Sequence, residues 1–182
     1  MEIILLRHGK PTLELKGRIN SADFKKLTVT YALSGIKDEP VKQLKNYFKS
    51  HYIVCSDLER SIQSAKKLQV NEIHLVDQLF KETEIPYFEL SYFMLPVTAW
   101  LVLFRIMWLF GFNKNGESFK AAKLRAKQAA DKLIALAEEN QKVLLVGHGL
   151  LNRLIAKQLR NNNWIGPVSP GKKHWEFGVY KY

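Results

Sequence analysis

Two short apolar runs, Ile3-Ile4-Leu5-Leu6 and Val143-Leu144-Leu145-Val146, each stop at a histidine-glycine pair, in Arg7-His8-Gly9 and Gly147-His148-Gly149. Runs this short, apolar at every position and closed by glycine, fit strands buried on both faces, the pattern of a parallel sheet. Parallel neighbours need a crossover, most often a helix. The chain between the runs supplies helical spacing over 38–50, 57–68, 97–109 and 117–139, and again over 150–159. Leu58, Ile62, Ala65 and Leu68 share one helix face, and Phe119, Leu124, Leu133 and Leu136 are expected to point inward from the long helix. Further strands are expected at Tyr52–Cys55, Ile73–Val76 and from Trp175 to Tyr180, with a loop over 10–31 and an irregular acidic stretch over 81–92. Strands alternating with helices give an α/β protein with a mostly parallel central sheet.

In such sheets ligands bind outside the carboxyl ends of the strands. Arg7 and His8, Arg60 shortly after the second strand, and His148 all fall at those ends, although they are far apart in sequence. Two arginines and two imidazoles suit a phosphoryl group. The guanidinium fork matches phosphate oxygens, and a neutral imidazole can attack phosphorus and carry the group covalently. Fixed donors around the equatorial oxygens then supply much of the catalysis. A leaving alkoxide needs a proton, and the acidic stretch offers Glu82 and Glu84. His51, His74 and His174 lack a comparable setting and are read as structural.

Composition narrows the partners. The net charge of +11 favours anionic ones: nucleic acid, acidic lipid or phosphorylated small molecules. Cys55 is the single cysteine, which excludes an intrachain disulfide and fits a reducing, cytoplasmic setting. The apolar start is too short for a secretory signal and no basic region precedes it. Val97 to Phe112 would span about 24 Å as a helix, short of a ~30 Å hydrocarbon core, and contains Arg105. It reads as a buried helix or a lid, with an interfacial membrane helix as the alternative. Gly166 to Lys172 imitates a phosphate loop, but Lys173 stands where Ser or Thr would hold Mg²⁺, and Pro167 and Pro170 remove amide donors. No spacing of His, Cys or carboxylates suggests a metal site, and no cofactor is expected.

These motifs together resemble the histidine phosphatase superfamily, the phosphoglycerate mutase-like family, over nearly the whole chain. Arg7-His8-Gly9 resembles the motif whose histidine is phosphorylated. Ser56-Asp57-Leu58-Glu59-Arg60-Ser61-Ile62-Gln63-Ser64-Ala65 resembles the segment whose arginine binds phosphate. Phe80-Lys81-Glu82 resembles the proton-donor segment, Gly116-Glu117-Ser118 a common helix start, and Gly147-His148-Gly149, followed by Arg153, the second histidine and its helix. The chain departs from the family at Lys10, where many members have Glu, and at Glu14, where mutases have Asn. It departs again after Glu82, and at an aromatic insert over 90–112.

The resemblance implies a three-layer sandwich in one domain over residues 1–182, with a lid or insert at 83–115. It implies His8, Glu82, His148, Arg7 and Arg60 as catalytic residues. Arg7, Gly9, Lys10, Arg60, His148 and Gly149 would bind phosphate, and Trp100, Phe104, Arg105 and Trp108 would lie on the lid. The expected activity is a metal-independent phosphatase acting on a phosphomonoester through phospho-His8, with Lys10, Lys16 and Arg18 available to a second anionic group. A phosphorylated small molecule is the expected partner, with neither nucleic acid nor a transmembrane segment, and a homodimer through the aromatic insert is conceivable. The alternatives are a phosphoglycerate mutase-type phosphotransferase, a protein phosphohistidine phosphatase and, from another class, a non-catalytic protein that binds phosphate ligands or a membrane surface.

Overall fold

A computed structural model describes residues 1–182 apart from the side chain of Asn46. Its centre is a five-stranded sheet. The strands are β1 (Glu2–Arg7), β3 (Tyr52–Cys55), β4 (Leu75–Val76), β6 (Lys142–Gly147) and β7 (Phe177–Lys181), in the spatial order β4-β3-β6-β1-β7. The pairings β1–β6, β3–β6 and β3–β4 are parallel, and only the edge strand β7 runs antiparallel, against β1.

Side-chain alternation builds a layer on each face of the sheet. Ile3 and Leu5 of β1, with Val143 and Leu145 of β6, pack against α5 (Phe119–Asn140) and α6 (Gly149–Asn161). Ile4 and Leu6, with Leu144 and Val146, face the other way, onto Phe48, Ala65 and Leu68 around α2 (Lys42–Tyr47) and α3 (Glu59–Lys67). Both faces are therefore buried, as the continuous apolar runs require, and the layers form a three-layer α/β sandwich. Among the described residues, no helix is long and apolar enough to cross a membrane.

Several elements depart from the sequence reading. The expected loop over 10–31 contains a helix, α1 (Phe24–Leu33). Thr28, Val29 and Thr30 are poor helix formers, and the helix is held by Phe24, which is buried with Tyr87, Trp100 and Phe104 in a third apolar cluster. The same region pairs β2 (Arg18–Ile19) with β5 (Leu95–Pro96), a two-stranded ribbon leading into α4 (Val97–Leu109). α2 is shorter than the expected 38–50, because Pro40 and an extended Val41 precede it. Trp175 has φ 66°, a left-handed conformation, so the last strand begins only at Phe177.

The inward face of α5 is also different. Ala122, Ala126, Ala129, Ala130, Leu133 and Ala137 are buried, whereas Leu124 is 59% exposed. Small side chains let this helix lie close to the sheet, where larger ones would have to push it away. Ser118 caps the helix, its Oγ accepting from the Ala121 amide at 3.0 Å.

Close packing by alanine gives a direct test. Ala129→Leu is expected to cost about 1–3 kcal/mol by overpacking, while Leu124→Ala changes stability by no more than ~0.5 kcal/mol. Urea unfolding followed by tryptophan fluorescence measures both.

Candidate active site

β1 and β6 lie side by side with Arg7 opposite Gly147, and β3 flanks the other edge of β6 with Cys55 opposite Val146. The next residues, His8, Ser56 and His148, therefore emerge together. The His8 and His148 rings are 5.0 Å apart, centroid to centroid, and both residues are buried.

His8 Nδ1 lies 2.7 Å from the Gly9 carbonyl oxygen. That oxygen can only accept, so Nδ1 carries the proton and Nε2 keeps its lone pair. Burial, reinforced by His148 and Arg60, holds the His8 pKa well below the ordinary histidine value. At neutral pH the ring is uncharged and suited to nucleophilic attack. His148 Nε2 lies 2.7 Å from Ser56 Oγ, and burial, then Arg60 and Arg7, push its pKa well down too.

The arginines are held by backbone carbonyls. Arg60 Nη1 donates to Tyr31 O at 3.0 Å and to Ala32 O at 3.3 Å, and its guanidinium lies 4.9 Å from the Tyr31 ring centroid. Arg7 Nη1 donates to Lys172 O. Arg7 Nε, Arg60 Nε and His148 Nδ1 are buried and have no protein partner among the described residues. Buried donors almost always find an acceptor, so unpaired guanidinium N–H groups at this edge suit an oxyanion. Burial lowers the Arg60 pKa, with Tyr31, Glu82 and Asp57 offsetting part of the effect; an arginine remains charged nonetheless.

Two glycines permit this packing. A Cβ at Gly9 would fall 2.4 Å from Trp175 Cζ2, and one at Gly149 would fall 3.3 Å from the Arg7 guanidinium carbon. The Gly9 amide donates to Ser64 Oγ at 2.9 Å, which ties the loop after β1 to α3.

Glu82 sits at the N-terminus of α6. Its carboxylate accepts from the amides of Leu150 at 3.2 Å, Leu151 at 3.1 Å and Thr83 at 2.8 Å. Arg125 braces the approach to Glu82, donating to Leu79 O at 3.0 Å and Lys81 O at 2.6 Å while paired with Glu117. Arg105 Nη1 donates to Thr83 Oγ1 at 3.1 Å, with its guanidinium 4.6 Å from the Trp108 ring centroid.

A cavity of about 940 Å³ opens on this edge. Arg7, His8, Arg60, Glu82 and Glu84 line it, as does Arg105. His148, Gly9 and Gly149 are not on its surface, and neither is Lys10, whose amide donates to Asp38 Oδ1 at 2.6 Å. Lys16 pairs with Glu14 at 2.5 Å and Arg18 donates to Met94 O at 2.7 Å; neither lines the cavity. Of the four residues expected on a lid, only Arg105 faces it. Trp100, Phe104 and Trp108 are buried on the opposite side of α4, with the Trp108 indole donating to Glu117 O at 2.7 Å.

Several residues here carried no usable signal in the sequence. Tyr31 lay in the expected loop, and Arg125 reads like any solvated charge on an amphipathic helix. His174, read as structural, has its ring 5.3 Å from that of His8, and its Nδ1 lies 3.0 Å from His8 O. Its approach depends on the turn after Pro170, which no local pattern specifies.

Comparison with known proteins bears on the family and the fold. A family model described as the histidine phosphatase superfamily (branch 1) matches residues 3–165. No curated protein sequence matches the chain significantly. Among solved structures, mycobacterial hydrolase 1 is similar with a TM-score of 0.63 at 19% identity, over 98% of this chain and 87% of that one. A mycobacterial glucosyl-3-phosphoglycerate phosphatase in complex with VO3 has a TM-score of 0.60 at 18% identity, over 99% and 94% of the two chains. The alpha-ribazole phosphatase of Shigella flexneri has a TM-score of 0.56 at 19% identity, over 86% and 79%. At these identities the likeness shows the fold.

The neutral buried rings predict a pH dependence of stability. In the unfolded chain histidine takes up a proton below about pH 6.5, whereas folded His8 and His148 resist until well below that value. The unfolded state then binds more protons, so stability falls as pH drops below about 6.5, by up to ~1.4 kcal/mol per pH unit per ring. Above that pH these rings contribute no slope. His148→Gln is expected to flatten the fall between about pH 6.5 and 5 in urea titrations. A slope equal to the wild type's would mean that His148 is charged in the folded protein.

Proposed function

The chain belongs to the histidine phosphatase superfamily, and on that premise we propose that it is a phosphomonoesterase in which His8 carries the phosphoryl group. The observation that carries this reading is the His8 ring itself. It is neutral, its Nδ1 proton is tied to Gly9 O, and its Nε2 lacks a protein partner among the described residues, in a cavity walled by Arg7 and Arg60.

His8 Nε2 attacks phosphorus as the ester P–O bond breaks. Arg7 and Arg60 take the charge of the equatorial oxygens, and the Gly9 carbonyl stabilises the positive charge that the ring gains. His148, with Nδ1 unpaired beside both arginines, adds a donor or orients His8. Glu82 gives the leaving oxygen its proton. It then accepts one from the water that attacks phospho-His8, releasing phosphate and restoring the ring. Glu82 is preferred to Glu84 because it lies close enough to act on Arg60, Tyr31 and Arg105, whereas Glu84, also on the cavity lining, is paired with Lys81 at 3.4 Å. The guanidinium groups supply the positive charge that a metal would otherwise bring, so turnover needs no metal ion. Cys55 takes no part: burial pushes its thiol up to about 12. A single buried cysteine is consistent with a reducing, cytoplasmic setting.

Hydrolysis of p-nitrophenyl phosphate in EDTA tests the reading. His8→Ala is expected to lower kcat by at least about three orders of magnitude and to abolish acid-labile, alkali-stable labelling by a ³²P-ester. Arg60→Ala is expected to cost about 10²–10³-fold. Wild-type rates from His8→Ala would remove it as nucleophile. A larger loss for Glu84→Gln than for Glu82→Gln would move the proton donor to Glu84.

A further inference from the structure

Above the Arg7–Arg60 floor, the cavity is walled mainly by hydrocarbon. Leu27 and Val29 of α1 face it from one side, and Leu101, Val102, Ile106 and Leu109 of α4 from another. α4 buries Val97, Trp100, Phe104 and Trp108: Trp100 and Phe104 share an apolar cluster with Phe24 of α1, and the Trp108 ring lies 4.9 Å from that of Phe119 in α5. A helix with only that need would carry polar groups on its remaining face. It does not: Val102 is 59% exposed, Ile106 48% and Leu109 53%, and Arg105 is the one charged residue of the helix.

Three of the neutral polar side chains on the wall, Thr28, Thr83 and Asn115, are already engaged. Thr28 Oγ1 donates to Lys25 O at 2.8 Å, and Thr83 Oγ1 is shared between Arg105 and Glu82. Asn115 Nδ2 donates to Tyr87 O at 3.2 Å. A sugar or nucleoside would bring several hydroxyl or ring groups that need partners, and leaving them unpaired on an apolar wall is costly. A hydrocarbon group needs none and would cover surface that is otherwise exposed to water.

We propose that the cavity takes phosphomonoesters of apolar alcohols, with the phosphoryl group on the Arg7–Arg60 floor and the hydrocarbon along the wall formed by α1 and α4. The proposal rests on the phosphatase reading for the place of the phosphoryl group. Binding energy from the chain, remote from the reacting atoms, appears in kcat/KM.

The test is a series of monoalkyl phosphates from ethyl to hexyl, kept below micelle formation. kcat/KM is expected to rise about fourfold per added methylene, as transfer of one CH₂ from water implies. Glucose 6-phosphate and glycerol 3-phosphate are expected to be poorer substrates than ethyl phosphate. Ile106→Asp and, separately, Val102→Ser are expected to lower the hexyl-to-ethyl ratio, about tenfold for the aspartate. Because the ratio is taken within one variant, a partly folded preparation does not distort it. Comparing hexyl phosphate in solution with the same ester in phosphatidylcholine vesicles separates a free source from a bilayer source, and preference for either supports the proposal.

A flat or falling length series, or a preference for the sugar phosphate, overturns the substrate class while p-nitrophenyl phosphate turnover leaves the phosphatase reading standing. Calorimetric titration with ethyl- and hexylphosphonate, whose C–P bonds are not hydrolysed, tests the wall without turnover. Tighter binding of the hexyl compound in a protein that hydrolyses nothing keeps the wall assignment and removes the phosphatase reading. If a second copy covers the wall instead, sedimentation shows a dimer that Ile106→Asp dissociates, with no length dependence, and the proposal fails.

Discussion

The parallel pairing of β6 between β1 and β3 is the constraint on which the site depends. Backbone hydrogen bonds fix Arg7 opposite Gly147 and Cys55 opposite Val146, and side chains alternate along each strand. A slip of one residue in any strand would reverse which face each apolar residue meets. It would also separate the His8 and His148 rings from their 5.0 Å approach. The register is held by Ile3, Ile4, Leu5 and Leu6 and their partners from Val143 to Val146, all fully buried. Core packing and site geometry are thus the same requirement, met once.

That register gathers positive charge where water is largely excluded. Arg60 is 2% exposed, and its guanidinium is carried by two backbone carbonyls and the face of Tyr31. Dipoles compensate the buried charge only in part, and after the burial of the rings themselves that charge is a further cause of the suppressed basicity of His8 and His148. The same imbalance makes the edge receptive to an anion and, with burial, keeps the imidazoles neutral. The one carboxylate close to Arg60 in the cavity, Glu82, is held by amides at the start of α6 rather than by a guanidinium. The arginines therefore keep N–H groups unpaired for an incoming oxyanion.

The segment before α5 combines two roles. Trp100, Phe104 and Trp108 anchor α4 on its buried side, while Leu101, Arg105 and Ile106 look into the cavity. Arg105 meets Thr83, the residue after Glu82, and Arg125 meets Leu79 and Lys81, just before it. Helices on two sides thus fix the loop that presents Glu82. The apolar wall above Arg7 and Arg60 and the position of Glu82 are set by the same packing.

Local chemistry made much of this legible. The apolar runs ending in Arg7-His8-Gly9 and Gly147-His148-Gly149 and the whole extent of α4 follow from side-chain type and spacing. Those determine which residues prefer burial and where the backbone can turn. They identify the α/β class, and the four side chains that meet at one sheet edge, before any contact is known. Tertiary structure decided what spacing cannot encode. α1 forms among β-branched residues because Phe24 has an apolar cluster to enter. α5 turns alanines rather than Leu124 inward because the sheet lies close. The aromatic residues of α4 went to the core and its aliphatic residues to the cavity. Propensity is a property of neighbours along the chain, whereas these outcomes depend on which distant surface is there to be covered.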